Sequence, residues 1–362
     1  MTPDGKVGLG FFGYGFIAEA HLSGLDHIDE GIALGIFGPN VERAQETGSR
    51  HGVDFVTTDP DELLALDGLD GVVVATPDHT HHELTMKAIA AGKHVFVEKP
   101  IASNAEQGRE MYAGAKSRDL RSMVGFTLRA NPLVQRVRAM IDDGEIGDIL
   151  SVYAERYSGG LLQSSPKKSW KMDPASTSTG VVGDLGSHAI DLVQFWAGPI
   201  VRVSSALDTH VREGTDPATG ESFPLELDDE ANLLVKFASG ANGVVITSRV
   251  GLVDCHKPLG RSNFTINGSK MGFVTDGIME AVRHRPGHDP EVMDPGLPLE
   301  EADHAGVLAF FGERMMRDFV TSIRDGRDIP PTLADGLRTQ EVIDAAVEAS
   351  RAGAWMDVPQ VD

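Results

Sequence analysis

The stretch VGLGFFGYGFIAEAHLSGL, residues 7–25, passes in one step from a strand pattern to a helix pattern. Val7 to Phe12 is a short apolar run of the kind buried on both faces, and Ile17 to Leu25 carries apolar residues at helical spacing. Between them lies Gly13-Tyr14-Gly15-Phe16-Ile17-Ala18, a G-x-G-x-x-A turn. Gly13 permits the tight turn, Gly15 lets a pyrophosphate approach the backbone, and Ala18 lets the helix lie close on its strand. The helix N-terminus, with Phe16 and Ile17, then faces the phosphates. A glycine turn of this kind also occurs without a ligand. Its place between a strand and a helix points to a bound dinucleotide.

The alternation continues outward. IALGIF (32–37), GVVVAT (71–76), HVFVEKP (94–100) and SMVGF (122–126) read as strands. Helical patterns separate them at 41–52, at 60–66 behind an Asp59 cap with Pro60, at 80–92, and from Asn104 behind a Ser103/Glu106 capping box. Strands buried on both faces and alternating with helices predict βαβ units in a doubly wound parallel sheet over residues 1–126. After residue 126 the pattern changes. Helices are expected at 131–144 and 185–198, and strands near 149–157, 200–211, 231–238, 242–250, 261–266 and 272–276. Hairpin signals stand at SGANG (239–243) and Asn267-Gly268. Residues 127–362 therefore read as an α+β domain with an antiparallel sheet, a loop over 281–300, and two closing helices near 303–325 and 334–353. These helices are free to pack back on the first domain.

With 362 residues the chain exceeds the size of one growing core. Its formal charge of −22 argues against a nucleic-acid backbone or an anionic membrane surface as partner. Cys255 is the single cysteine, so a disulfide within the chain is excluded and a reducing, cytoplasmic setting fits. No leader pattern opens the sequence, and no apolar run approaches the ~18 residues of a membrane span.

Four further motifs carry chemistry. The second strand ends at Gly38, where a dinucleotide fold usually places the acid that binds a ribose 2′-hydroxyl. Its absence, with Arg43 nearby, favours NADP(H) over NAD(H); the alternative has Asn40 bonding an NAD ribose. Thr76-Pro77-Asp78-His79-Thr80-His81-His82 follows GVVVAT at the ligand side of the sheet and reads as a loop lining the crevice, with Thr76, Pro77 and His81 near cofactor, rather than as a metal site. Glu98-Lys99-Pro100 closes another parallel strand, so Lys99 opens into the same crevice, where it can hydrogen-bond a substrate oxygen. Glu98 pairs with Lys99 or touches cofactor, and Pro100 suits a cis bond. The plain alternative is a structural ion pair. In Gly183-Asp184-Leu185-Gly186-Ser187-His188, Asp184 and His188 are four apart, on one face of a helix start. The pair suits a general base set by a carboxylate, or equally a satisfied core histidine.

Taken together, GYGFIA, ATPDHTHHE, AGKHVFVEKP, VGFTLRANP, WKMDP (170–174), GDLGSHAID, DDEANLLVKFASGANGVVITSR and FTINGSK resemble the Gfo/Idh/MocA oxidoreductases over nearly the whole chain. The resemblance implies a Rossmann domain, a second domain with a large, mostly antiparallel open sheet, and assembly as a homodimer or homotetramer. It implies an NAD(P)-dependent dehydrogenase of a sugar, inositol or other polyol. Lys99 would contact cofactor and substrate, and Asp184 and His188 would be the other catalytic pair, with His188 the proton acceptor. Arg129, Tyr157, Trp170 and Lys171 are substrate-side candidates, and loops 157–172 and 251–262 would select the substrate. Gly38 and Asp78 depart from the family pattern, the first bearing on NAD against NADP. An NAD-dependent glycosidase with transient oxidation and a non-catalytic NAD(P) sensor are the alternative readings.

Overall fold

The structure, a computed structural model, describes residues 2–163, 169–216, 219–253, 261–277, 280–294 and 304–361. Cys255 and parts of both substrate-selecting loops lie outside them. The chain divides into two compact units, Met1–Thr127 with Ala305–Leu337, and Leu128–His304 with Arg338–Asp362. None of the helices among the described residues is long and apolar enough to cross a membrane.

The first unit runs β1 (Val7–Phe12), α1 (Phe16–Leu25), β2 (Gly31–Phe37), α2 (Val41–His51), β3 (Val56–Thr57), α3 (Pro60–Leu64), β4 (Leu69–Val74), α4 (His81–Ala90), β5 (His94–Val97), α5 (Ala105–Ser117) and β6 (Ser122–Val124). Its sheet has the order β3-β2-β1-β4-β5-β6 with every pairing parallel. That order reverses between β1 and β4, and a doubly wound sheet binds ligands at the carboxyl ends there. The sequence pattern anticipates these elements apart from the two-residue β3. The cap of α5 shifts by one position. Asn104 accepts from the Gln107 N–H at 3.0 Å, and the Gln107 side chain accepts from the Ser103 N–H at 3.1 Å. Asparagine outcompetes the preceding serine because its carbonyl reaches the third residue on.

The second unit runs α6 (Pro132–Asp142), β7 (Ile149–Tyr157), α7 (Gly160–Gln163), α8 (Val181–Asp184), α9 (Gly186–Ala197), β8 (Ile200–Asp208), β9 (Glu213–Thr215), β10 (Ser222–Pro224), β11 (Glu230–Phe237), β12 (Asn242–Ser248), β13 (Arg261–Gly268), β14 (Gly272–Thr275), β15 (Ala281–His284) and β16 (Glu291–Met293). Then come α10 (His304–Asp325) in the first unit, α11 (Leu333–Ala352), and β17 (Met356–Asp357). A 9-stranded sheet has the order β16-β15-β14-β13-β7-β12-β11-β8-β17. Only β12 and β7 pair in parallel. One face is buried under α9, where Trp196 meets Phe264 edge-on at 5.8 Å. The register row Leu234–Val244–Tyr153–Thr265–Val274–Val282–Val292 crosses the other face. Leu234, Tyr153 and Val292 are 51%, 43% and 75% exposed there.

Three expectations change. The stretch 281–300 is not all loop, because β15 and β16 occupy part of it, joined through Arg283 and Glu291 across the ladder. The helix expected over 185–198 forms as α9, but Asp184 and His188, expected on one face of a single helix start, fall in separate helices parted at Leu185. Asn267-Gly268 belongs to β13, and Ser269 and Lys270 form the turn, closed by the Gly268 N–H on Met271 O at 2.9 Å.

Helix α10 lies against α1 through glycines. A Cβ on Gly24 would stand 2.5 Å from the Gly312 carbonyl carbon, and one on Gly312 would stand 2.5 Å from Ala20 O. Overpacking of this kind costs about 1–3 kcal/mol or more. Gly312→Val is therefore expected to lower the urea midpoint at unchanged slope, and a variant as stable as wild type would show that the crossing is not tight.

Candidate active site

The turn after β1 is built for close approach. Gly13 has φ +113°, and a Cβ there would lie 2.5 Å from Ala75 O at the end of β4. Gly15 begins α1 with no side-chain cap, and a Cβ on it would meet nothing within 4 Å. Ala18 is fully buried, Ile17 is half-buried and Phe16 is 60% exposed. An open cradle at an uncapped helix N-terminus fits the pyrophosphate of a dinucleotide. At the end of β2, Gly38 is buried, and Asn40 caps α2 by accepting from the Arg43 N–H at 2.9 Å.

At the carboxyl end of β4, the Thr80 hydroxyl donates to Pro77 O at 2.7 Å and lies 2.6 Å from the Thr76 hydroxyl. His81 is buried with Thr76 O 2.8 Å from Nε2 and Pro100 O 2.8 Å from Nδ1. It clamps the Thr76 turn to the Lys99–Pro100 corner, whose peptide is cis as the sequence suggests.

Glu98 is only 5% exposed, and its carboxylate does not depend on Lys99 alone. His21, on the buried face of α1, donates through Nε2 to Glu98 Oε1 at 2.8 Å, and the Lys99 N–H donates to Oε2 at 3.2 Å. A Cβ on Gly125 would lie 2.6 Å from Glu98 Cδ, so the carboxylate fills the space that glycine leaves. Burial pushes Glu98 upward. The His21 bond, the His21 and Lys99 charges and the Lys99 N–H outweigh it, and the carboxyl sits below its ordinary value of 4.5.

In the second unit, Asp184 at the end of α8 accepts from Lys171 Nζ at 3.1 Å and from Arg249 at 2.8 Å. Lys171 also lies over the Trp170 ring, 5.6 Å from its centroid. His188 is half-buried in the first turn of α9. Asp228 fixes α8 from outside, accepting from the Gly180 N–H at 2.6 Å and the Val182 N–H at 2.8 Å. Burial raises the Asp228 pKa above its usual range, against the pull of these N–H groups and of Arg249.

The substrate-side candidates separate. Trp170, Lys171 and Asp184 come together. Arg129 is buried and forks onto Asp191, with Nε on Oδ2 at 2.8 Å and a second nitrogen on Oδ1 at 2.6 Å. Tyr157 belongs to the row Glu230–Ser248–Tyr157–Arg261, while the alternate row Ala231–Thr247–Arg156–Ser262 points to the other face. Arg156, one residue away, is the side chain that Asp184's charge reaches. Burial draws its pKa down to about 10, with Asp184 opposing. Its Nε and one terminal nitrogen, with Thr247 Oγ1 and Ser262 Oγ, find no hydrogen-bond partner among the described residues.

The family models described as "Oxidoreductase family, NAD-binding Rossmann fold" and "GFO/IDH/MocA C-terminal domain" match residues 7–126 and 134–274. The chain belongs to the Gfo/Idh/MocA oxidoreductase family. It is 29% identical to levoglucosan dehydrogenase of Pseudarthrobacter phenanthrenivorans, over 89% of this chain and 88% of that protein. It is 27% identical to glucose-6-phosphate 3-dehydrogenase of Bacillus subtilis, over 98% of this chain and 99% of that one. Among solved structures, levoglucosan dehydrogenase in complex with NADH and levoglucosan superposes with a TM-score of 0.88 at 26% identity, covering 98% of this chain and 100% of that chain.

Sequence reasoning missed His21 in the first unit of this Gfo/Idh/MocA chain, and Arg156, Asp228 and Arg249 in the second. His21 carries a readable trace, since it interrupts the apolar stripe of Ala18, Leu22 and Leu25. The others need the fold, because their partners are distant in sequence.

His21→Leu leaves Glu98 buried without its main partner, a loss of about 3–5 kcal/mol. Because the wild-type carboxyl is depressed, its contribution is present above its unfolded pKa and disappears as pH falls through the folded value. In the variant only the Lys99 charge and N–H still oppose burial, so the carboxyl rises relative to wild type and the variant loses less on acidification. The stability gap between wild type and variant, measured by urea unfolding, should be widest near pH 7 and narrow towards pH 4. A gap that widens on acidification contradicts the pairing.

Proposed function

We propose that this chain is an NAD(P)-dependent dehydrogenase that interconverts a secondary alcohol and a ketone of a sugar, inositol or other polyol. The observation that carries the reading is Lys99 at the carboxyl end of β5, in a sheet whose order reverses between β1 and β4, beside an uncapped glycine turn. Relatives named for levoglucosan, glucose 6-phosphate and inositol support the substrate class.

When bound, the nicotinamide supplies the hydride acceptor. Lys99 holds and polarises the reacting oxygen, and His188 takes the hydroxyl proton. Asp184, bonded by Lys171 and Arg249, orients His188. Trp170 and Lys171 contact the sugar, and Arg129 holds the start of α6 to α9 through Asp191. NADP(H) is favoured over NAD(H), because no carboxylate stands at Gly38 and Arg43 offers a cation.

A screen at the reduced-nicotinamide band against inositols, aldoses, anhydrosugars and sugar acids, each with NAD and NADP, tests the class. Sugar release without net reduction would instead assign a glycosidase. On the substrate so found, Lys99→Met and His188→Asn should each lower kcat by about 10²–10⁴-fold while dinucleotide still binds. Near-normal turnover in both variants sinks the assignment.

The apolar row Leu234–Val244–Tyr153–Val274–Val292 supports a homo-oligomer with a second copy seated on the open sheet face. Leu234→Asp with Tyr153→Asp should reduce the sedimenting mass to that of one chain. An unchanged mass would place the interface elsewhere.

A further inference from the structure

The turn residue Tyr14 is unused by the reading above, and it explains Gly38. A Cβ built on Gly38 would stand 2.5 Å from Tyr14 Cδ1, with Cε1 closer still. The backbone does not demand glycine there, since Gly38 is not in the left-handed region. The ring does. The Asn40 N–H donates to the Tyr14 hydroxyl at 3.2 Å, which fixes the ring across the end of β2. Arg43, one turn into α2, lies over the same ring with its guanidinium carbon 5.7 Å from the centroid. The ring thus fills the place of the ribose-binding carboxylate and carries an exposed cation on its face.

We infer that Tyr14 is the specificity-determining residue for the dinucleotide, excluding an acid at position 38 and presenting Arg43 to a 2′-phosphate. This rests on the dinucleotide reading and deepens it. A 2′-phosphate brings a dianion that a guanidinium binds through paired N–H donors. A 2′-hydroxyl needs an acceptor that position 38 has no room to hold. The glycine is then a consequence of the tyrosine, and changing the glycine alone cannot convert the site.

The test is binding, read by fluorescence titration of the full-length protein with NADPH and with NADH, each variant first checked for folding by circular dichroism. Wild type should bind NADPH about tenfold or more tighter than NADH. Tyr14→Ala, which leaves Gly38 in place, should lose about tenfold for NADPH and less than about threefold for NADH. Gly38→Asp alone should weaken both, and Tyr14→Ala/Gly38→Asp should reverse the preference. Equal affinities in wild type overturn the inference. So does a full reversal by Gly38→Asp alone, or a Tyr14→Ala protein with unchanged preference. Failure of folded wild type to bind either dinucleotide overturns the dinucleotide reading itself.

Discussion

The hydrogen bond between His21 and Glu98 is the contact that fixes the Glu98-Lys99-Pro100 corner in the first unit. It joins α1, whose N-terminus is the glycine turn, to the corner that carries Lys99. Both side chains are buried, so each would be costly alone, and together they are affordable only at one geometry. That geometry propagates. Gly125 must lack a side chain to leave room for the carboxylate, and the Lys99 N–H is drawn onto its second oxygen. His81 then ties Pro100 to the Thr76 turn, which links the loops that end β4 and β5. The charges beside the core strand are used in pairs, and what looked like an isolated Glu-Lys pair is one end of a longer connection.

The second unit solves a similar problem with opposite emphasis. The chain as a whole is strongly acidic, yet cations gather around Asp184. Lys171 and Arg249 bond it directly, and Arg156 lies within its field from the sheet below. Neutralising one carboxylate with several cations, two of them largely buried, is poor economy for stability alone. It does hold the carboxylate in place through both of its oxygens. The division between α8 and α9 serves the same end. Asp228 holds the N–H groups of α8, which leaves α9 to begin afresh at Gly186 with His188 in its first turn.

Much of this is legible in the sequence. The first unit's strands are short, doubly buried runs, and such runs announce themselves whatever their neighbours. The glycine turn, the Glu98-Lys99-Pro100 corner and the Asp184/His188 spacing are local patterns and were found as such. What escaped notice depends on partners far along the chain. Arg249 meets Asp184 across 65 residues, and α10 reaches α1 through Gly312. β15 and β16 were hidden because edge strands with exposed faces carry charge and turn residues, as Arg283 and Glu291 do. Arg156 is not legible because a strand's composition shows its period but not which phase faces Asp184. A register error of one residue exchanges the faces.

Gly38 shows how an absence in a sequence can have a steric cause where the sequence suggests an electrostatic one. As a missing carboxylate it is an electrostatic statement, the loss of a charge that would repel a 2′-phosphate. In the folded chain it is a steric one, since the Tyr14 ring already occupies the position and its hydroxyl is held by Asn40. The distinction matters because charge is a property of one residue and space is shared between two. A carboxylate can be restored at a vacant position by a single change, but a filled position must first be emptied. The turn and the end of β2 are therefore sterically coupled, and a side chain at position 38 has to be considered together with the one at position 14.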